Sequence, residues 1–147
     1  MGSTHAFCTF CVDDHFFGVE VEKVQEVIRH QPMTRVPLAP VVVRGLINLR
    51  GQIVTALDLR RRLGLPEASV DRPPANVVVR SEDGAVSLLV DEIGDVLEID
   101  EEHREAPPNT VDSLGRDLIQ AVYKLDGRLL LILDTERATR VHGDERC

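Results

Sequence analysis

The chain has 147 residues, 25 acidic against 17 basic side chains, a formal charge of −8, and 43% hydrophobic residues that include no Trp and few aromatics. That length allows one domain or two small intimate ones, and the acidic balance with scarce aromatics argues against nucleic-acid binding by phosphate neutralisation or base stacking. No apolar run is long enough to span a membrane, and three cysteines are an odd set for a disulfide framework, which suits a reducing compartment.

Met1-Gly2-Ser3-Thr4-His5 carries no basic segment followed by a hydrophobic stretch, so no signal peptide and a cytoplasmic location are expected. From there the chain alternates apolar runs, rich in Val, Leu and Ile, with turn signals. This predicts a mainly β protein of sandwich or barrel type. The first five strands are expected at Ala6–Val12, Phe16–Val21, Glu26–His30, Val42–Leu49 and Gln52–Leu57. Cys8 and Cys11 stand three apart in the first run and point to opposite faces of a strand. They do not converge on a metal and read as small buried hydrophobes. Pro37-Leu38-Ala39-Pro40 reads as a rigid, extended loop, because proline fixes φ and biases the residue before it away from helix. Leu59–Leu63 is a candidate short helix closed by Gly64 and Pro66. Pro66 to Pro74 is a surface connection. The later strands are expected at Asn76–Arg80, Ala85–Val90, Asp95–Ile99, Leu118–Leu125 and Arg128–Leu133, with a second short helix at Thr135–Thr139. Asp83-Gly84 and Asp126-Gly127 are tight-hairpin signals.

These elements repeat. Leu49-Arg50-Gly51-Gln52-Ile53-Val54-Thr55-Ala56-Leu57-Asp58 aligns without a gap on Leu125-Asp126-Gly127-Arg128-Leu129-Leu130-Leu131-Ile132-Leu133-Asp134. Upstream, Phe10–Val21 aligns on Val79–Val90, and Glu22–Ile28 on Asp91–Leu97. Three blocks in one order define two homologous halves. They are read as one domain over residues 1–147, with a first lobe at about 6–64, a second at about 75–139 and a linker at about 65–74. The frame is copied, but Arg50 faces Asp126 in the alignment.

Charge is unevenly spread: from Arg29 to Arg62 there are seven arginines and one acid, Asp58, whereas Asp91 to Glu102 is strongly acidic. Such polarity suggests complementary surfaces for protein partners. No catalytic constellation assembles: the five histidines lack metal-ligand spacing, and no nucleophile elbow or phosphate-cradling glycine loop is present. Asp58 and Asp134 each end a strand before a short helix, a position for an N-cap rather than for acid–base chemistry. The expectation is a non-enzymatic binder with no metal and no cofactor. A generic β-barrel interaction module is one alternative. A nucleic-acid binder acting through the Arg29–Arg62 segment, prompted by Arg60-Arg61-Arg62, is another.

Val24-Gln25-Glu26-Val27-Ile28, Val36-Pro37-Leu38-Ala39-Pro40, Val43-Arg44-Gly45-Leu46-Ile47-Asn48-Leu49-Arg50-Gly51 and Leu57-Asp58-Leu59-Arg60 together resemble the CheW family of chemotaxis coupling proteins. The resemblance runs from about Phe7 to Ala138 and lacks receiver or kinase domains, so it is to the stand-alone adaptor. It implies two SH3-like five-stranded barrels packed on a shared hydrophobic core, with few short helices. It also implies a cytoplasmic adaptor at receptor arrays, with no nucleic-acid partner and no membrane insertion. Its partners would be a CheA-like histidine kinase and the cytoplasmic tip of a methyl-accepting chemoreceptor. Carried over by motif, Arg50 and Asn48 of Asn-Leu-Arg-Gly, Arg44 and Gly45 before it, and Val24 and Glu26 are partner-binding positions. Ile93 and Val96 match apolar positions of the receptor groove. Thr55-Ala56 departs from the family, which usually has a proline-containing pair there.

Overall fold

Strands dominate because the apolar runs alternate between two burials. The structure, a computed structural model, describes residues 3–66, 73–82, 84–107 and 116–140. Its strands are β1 (Thr4–Val12), β2 (His15–Glu20), β3 (Val24–Ile28), β4 (Val43–Leu49), β5 (Gln52–Asp58), β6 (Ala75–Ser81), β7 (Gly84–Val90), β8 (Glu92–Asp100), β9 (Arg104–Glu105), β10 (Ile119–Leu125) and β11 (Arg128–Leu133). Two short helices follow β5 and β11: α1 (Leu59–Arg62) and α2 (Thr135–Thr139).

The strands form two sheets, ordered β8-β1-β2-β11-β10-β9 and β3-β6-β7-β5-β4. Successive side chains of a strand point to opposite faces, and here both faces find a core. Phe10, Phe17, Val77, Val79, Leu88, Val90, Leu131 and Leu133 meet in a central cluster fed by both sheets. The intervening residues fill a separate cluster on each side. Phe7, Tyr123, Leu130 and Ile132 serve one sheet, and Ile47, Val54, Val78 and Leu89 the other. Runs such as Val77-Val78-Val79 and Leu130-Leu131-Ile132 are therefore continuous because each strand is covered on both faces.

All ten expected strands are present, with ends shifted by at most three residues and Arg128–Leu133 matched at both ends. Val21 lies in a 3-10 turn over Val21–Lys23. The third strand spans Val24–Ile28, two residues earlier than expected, and β8 is longer than expected. The two-residue β9, which pairs with β10, is an eleventh strand; its counterpart in the first half is the isolated bridge of Thr34 to Leu46 of β4, too short to count as a strand. Among the described residues one sheet thus has five strands and the other six.

The repeat governs the topology in an unexpected way. Mapping β1, β2, β3, β4 and β5 onto β6, β7, β8, β10 and β11 converts one sheet order into the other. Even the parallel pairs correspond: Phe17 opposite Leu131 matches Val86 opposite Thr55. Each sheet, however, takes its central hairpin from the other half of the chain, β1–β2 joining β8–β11 and β6–β7 joining β3–β5. The grouping expected from the alignment, residues 6–64 and 75–139, is not the grouping of the hydrogen bonds. The connections explain this. Within one sheet order, β2 and β3 would be parallel strands, and parallel strands need a crossover of about a dozen residues. Only the three residues Val21–Lys23 separate β2 from β3, and only Asp91 separates β7 from β8. The chain cannot turn back and runs on into the opposite sheet.

Both helices are capped as their sequence predicts. The Asp58 carboxylate accepts a hydrogen bond from the Arg61 backbone N–H at 3.3 Å, and Asp134 accepts from Arg137 N–H at 3.2 Å. Gly64, at φ +76°, follows α1. Cys8 and Cys11 are free and half-buried, and burial pushes both thiols above their usual range. Cys147 and Asp83 lie outside the described residues.

Candidate interaction surface

The β4–β5 hairpin turns in two residues, with Leu49 opposite Gln52. Both central residues are left-handed, Arg50 at φ +53° and Gly51 at φ +89°. Such a turn follows the twist of the strands and is usually built from Asn-Gly or Asp-Gly, since other side chains resist positive φ. For Arg50 the conformation costs roughly 1 kcal/mol. In the equivalent β10–β11 turn Gly127 is left-handed and Asp126 is not. The residue type that would tolerate the conformation avoids it, and the arginine adopts it.

Two groups fix the turn. Asn48 Oδ1 accepts from the Gly51 backbone N–H at 2.9 Å, and the Asn48 carbonyl accepts from Gln31 Nε2 at 3.0 Å. Glu26, on the edge strand β3, takes the Arg50 guanidinium as a two-pronged fork at 2.9 and 3.1 Å. The Arg50 side chain is 80% exposed and that of Glu26 18%. The fork uses two of five guanidinium N–H groups and leaves the others facing solvent. Arg50, Glu26 and Asn48 are thus brought together at one end of the sheet.

The other expected positions lie elsewhere. Arg44, on β4, donates to Asp58 at 3.2 Å and braces α1. Gly45 is buried, and a Cβ there would stand 2.6 Å from the Thr34 carbonyl oxygen. Its glycine serves the close approach of segment 31–36, which is bridged to β4 through Thr34 and Leu46. Val24 and Ile93 pack against the central core. Val96, on the edge strand β8, is 59% exposed. Ile93 and Val96 therefore do not share one surface.

The arginine triplet is turned inward. Arg60 grips Asp91 through Nε at 2.9 Å and through a second nitrogen, and donates to the Pro66 carbonyl at 2.7 Å. Asp91 also accepts from the Asp13 backbone N–H at 2.7 Å. Its hydrogen bond with Asp91 outweighs burial and raises the Arg60 pKa. Arg61 reaches Asp58 at 3.6 Å, and Arg62 donates to the Arg137 carbonyl at 2.9 Å. Together these bonds tie α1 to the β1–β2 turn, to the β7–β8 junction and to α2.

Sequence reasoning missed Leu38. The segment is not extended: Leu38 sits at φ +64° and is 95% exposed. Pro37 restricts Val36 and Pro40 restricts Ala39, but Leu38 precedes no proline and was free to turn. Pro at the first central position of a turn with positive φ at the second is the type II pattern.

Two interlocked β-sheets, an exposed ion-paired turn and apolar side chains left open on the edge strands define a β-sheet interaction module. Residues 6–141 match the family of CheW-like domains, and the chain belongs to that family. Among known proteins it is similar to the chemotaxis protein CheW of Bacillus subtilis, 33% identical over 125 residues covering 85% of this chain and 80% of the relative. It is also similar to the chemotaxis protein CheW of Treponema pallidum, 26% identical over 133 residues covering 88% and 78%. The crystal structure of the scaffolding protein TtCheW from Thermoanaerobacter tengcongensis superposes with a TM-score of 0.87 at 26% identity, covering 97% of each chain. Among the described residues no helix is long and apolar enough to cross a membrane.

Proposed function

We propose that this chain is a non-enzymatic chemotaxis adaptor that couples the cytoplasmic tip of a chemoreceptor to a CheA-like histidine kinase within receptor arrays. The observation that carries the reading is Arg50: a strained, solvent-facing arginine, oriented by Glu26, on a fold shared with a scaffolding CheW. Strain kept at an exposed residue points to use of its side chain rather than to folding. The outer N–H groups of Arg50 offer charge-assisted hydrogen bonds to a carboxylate or carbonyl of a partner. Val96, on the sheet that does not carry Arg50, is the apolar position assigned to the receptor. Rigid lobes then bias the kinase by differential contact as the receptor shifts. The inward fastening of Arg60, Arg61 and Arg62 weighs against the nucleic-acid alternative, because their charges are spent on the protein itself.

The test is binding of purified kinase and receptor cytoplasmic fragment to the wild type and two variants. Arg50→Ala should weaken at least one partner about tenfold with folding intact. Val96→Asp should weaken the receptor more than the kinase. Wild-type affinity of Arg50→Ala for both partners would overturn the role of Arg50. Failure of the wild type to bind either would overturn the adaptor reading.

A further inference from the structure

We propose that Leu38 anchors a protein-docking surface of its own, flanked by Arg35, and that its occupant is an acidic face of the kinase partner bearing a leucine-sized apolar pocket. This rests on the adaptor reading and adds a surface that Arg50 and Val96 do not touch.

Single exposed leucines are ordinary on protein surfaces. Leu38 is different because its backbone is held in the left-handed region, where a branched aliphatic residue gains nothing from folding. With Pro37 before it and Pro40 shortly after, the projecting side chain is preorganised and loses little conformational freedom on docking. Leucine is not a favoured hot-spot residue by type, so the role of Leu38 as an aliphatic anchor seated in a pocket rests on its preorganised projection.

The surroundings give the partner's sign. Beside Leu38 opens a cleft of about 1030 Å³ walled by Pro37, Pro40 and Val43. Arg35, Arg44, Arg60 and Arg61 line it against Asp58 and Asp91. Arg60 is committed to Asp91 and Asp13, and Arg44 and Arg61 to Asp58, so the charge left open to a partner beside Leu38 is that of Arg35. Arg35 is exposed and makes no ion pair among the described residues. Arg35 and Leu38 lie within the stretch that holds seven arginines and one acid in a chain of charge −8. A knob beside uncompensated positive charge fits a pocket rimmed by carboxylates. The kinase is the fitting partner because the exposed Val96, assigned to the receptor, lies on the opposite sheet.

The experiment immobilises the full chain and titrates two probes separately: the regulatory domain of a CheA-like kinase and a receptor cytoplasmic-tip fragment. Leu38→Asn is the informative variant, since asparagine accepts positive φ and the fold is retained. It should weaken the kinase about tenfold or more while Leu38→Met retains affinity. Arg35→Glu should also weaken the kinase and flatten the salt dependence of its binding. Receptor affinity should not change in any of the three. Wild-type kinase affinity of Leu38→Asn, or a loss confined to the receptor, would overturn the proposal while leaving the adaptor reading standing. Binding of neither probe by the wild type would remove both.

Discussion

At the scale of single residues, Arg50 sets stability against use. Replacing it by asparagine removes the left-handed penalty of roughly 1 kcal/mol and also an exposed ion pair contributing about 0.2–1 kcal/mol. The two nearly cancel. Arg50→Asn should therefore move the melting temperature by less than about 4 °C in a thermal scan, yet weaken partner binding as Arg50→Ala does. A large drop in melting temperature would mean that the Glu26 fork holds the sheet together, and that Arg50 is structural. The sequence already singled out Arg50 by its mismatch with Asp126. It could not show that Glu26 occupies one edge of the guanidinium, because the ion pair joins strands 24 residues apart in sequence. Val24, Gly45 and Ile93 show the opposite case. They sit in motif positions, but packing and close backbone approach account for them.

At the scale of elements, strands and caps were legible because they depend on local alternation and on Asp58 and Asp134 alone. The exchange of hairpins was legible too, though only by asking how far a connection can reach. The expected gap between Val21 and Glu26 is too short for a parallel crossover. The Leu38 turn was hidden by its prolines, whose restriction falls on their preceding neighbours. The fastening of α1 was hidden because Arg60 meets a partner 31 residues away. That fastening has a measurable consequence. The Arg60 side chain is only 13% exposed and that of Asp91 20%, so truncating the arginine leaves a partly buried carboxylate without its main partner. Arg60→Ala should lower the unfolding free energy by about 3 kcal/mol, read as a lower denaturant midpoint at unchanged slope. A shift below about 0.5 kcal/mol would show that the Asp13 N–H bond to Asp91 holds the junction without the arginine.

At the scale of the whole molecule, the exchanged hairpins make the halves mutually dependent. In the sheet β3-β6-β7-β5-β4, removing β6 and β7 separates β3 from β5 and leaves β3 without a strand partner. In the other sheet, removing β1 and β2 separates β8 from β11. Each half also loses its neighbour's side of the central cluster, where Phe10 and Phe17 meet Val77 and Leu88. A half of about 70 residues would already bury only about 60% of its unfolded surface, and these losses fall on its most buried strands. Residues 1–66 expressed alone should lack a cooperative unfolding transition, and so should residues 67–147. Mixing the two should restore β-sheet circular dichroism and a single melting transition, because every missing strand pair is supplied by the other fragment. A cooperative transition in residues 1–66 alone would show that β1–β2 can close back onto β3–β5. That would mean the Val21–Lys23 turn, though short, does not dictate the exchange.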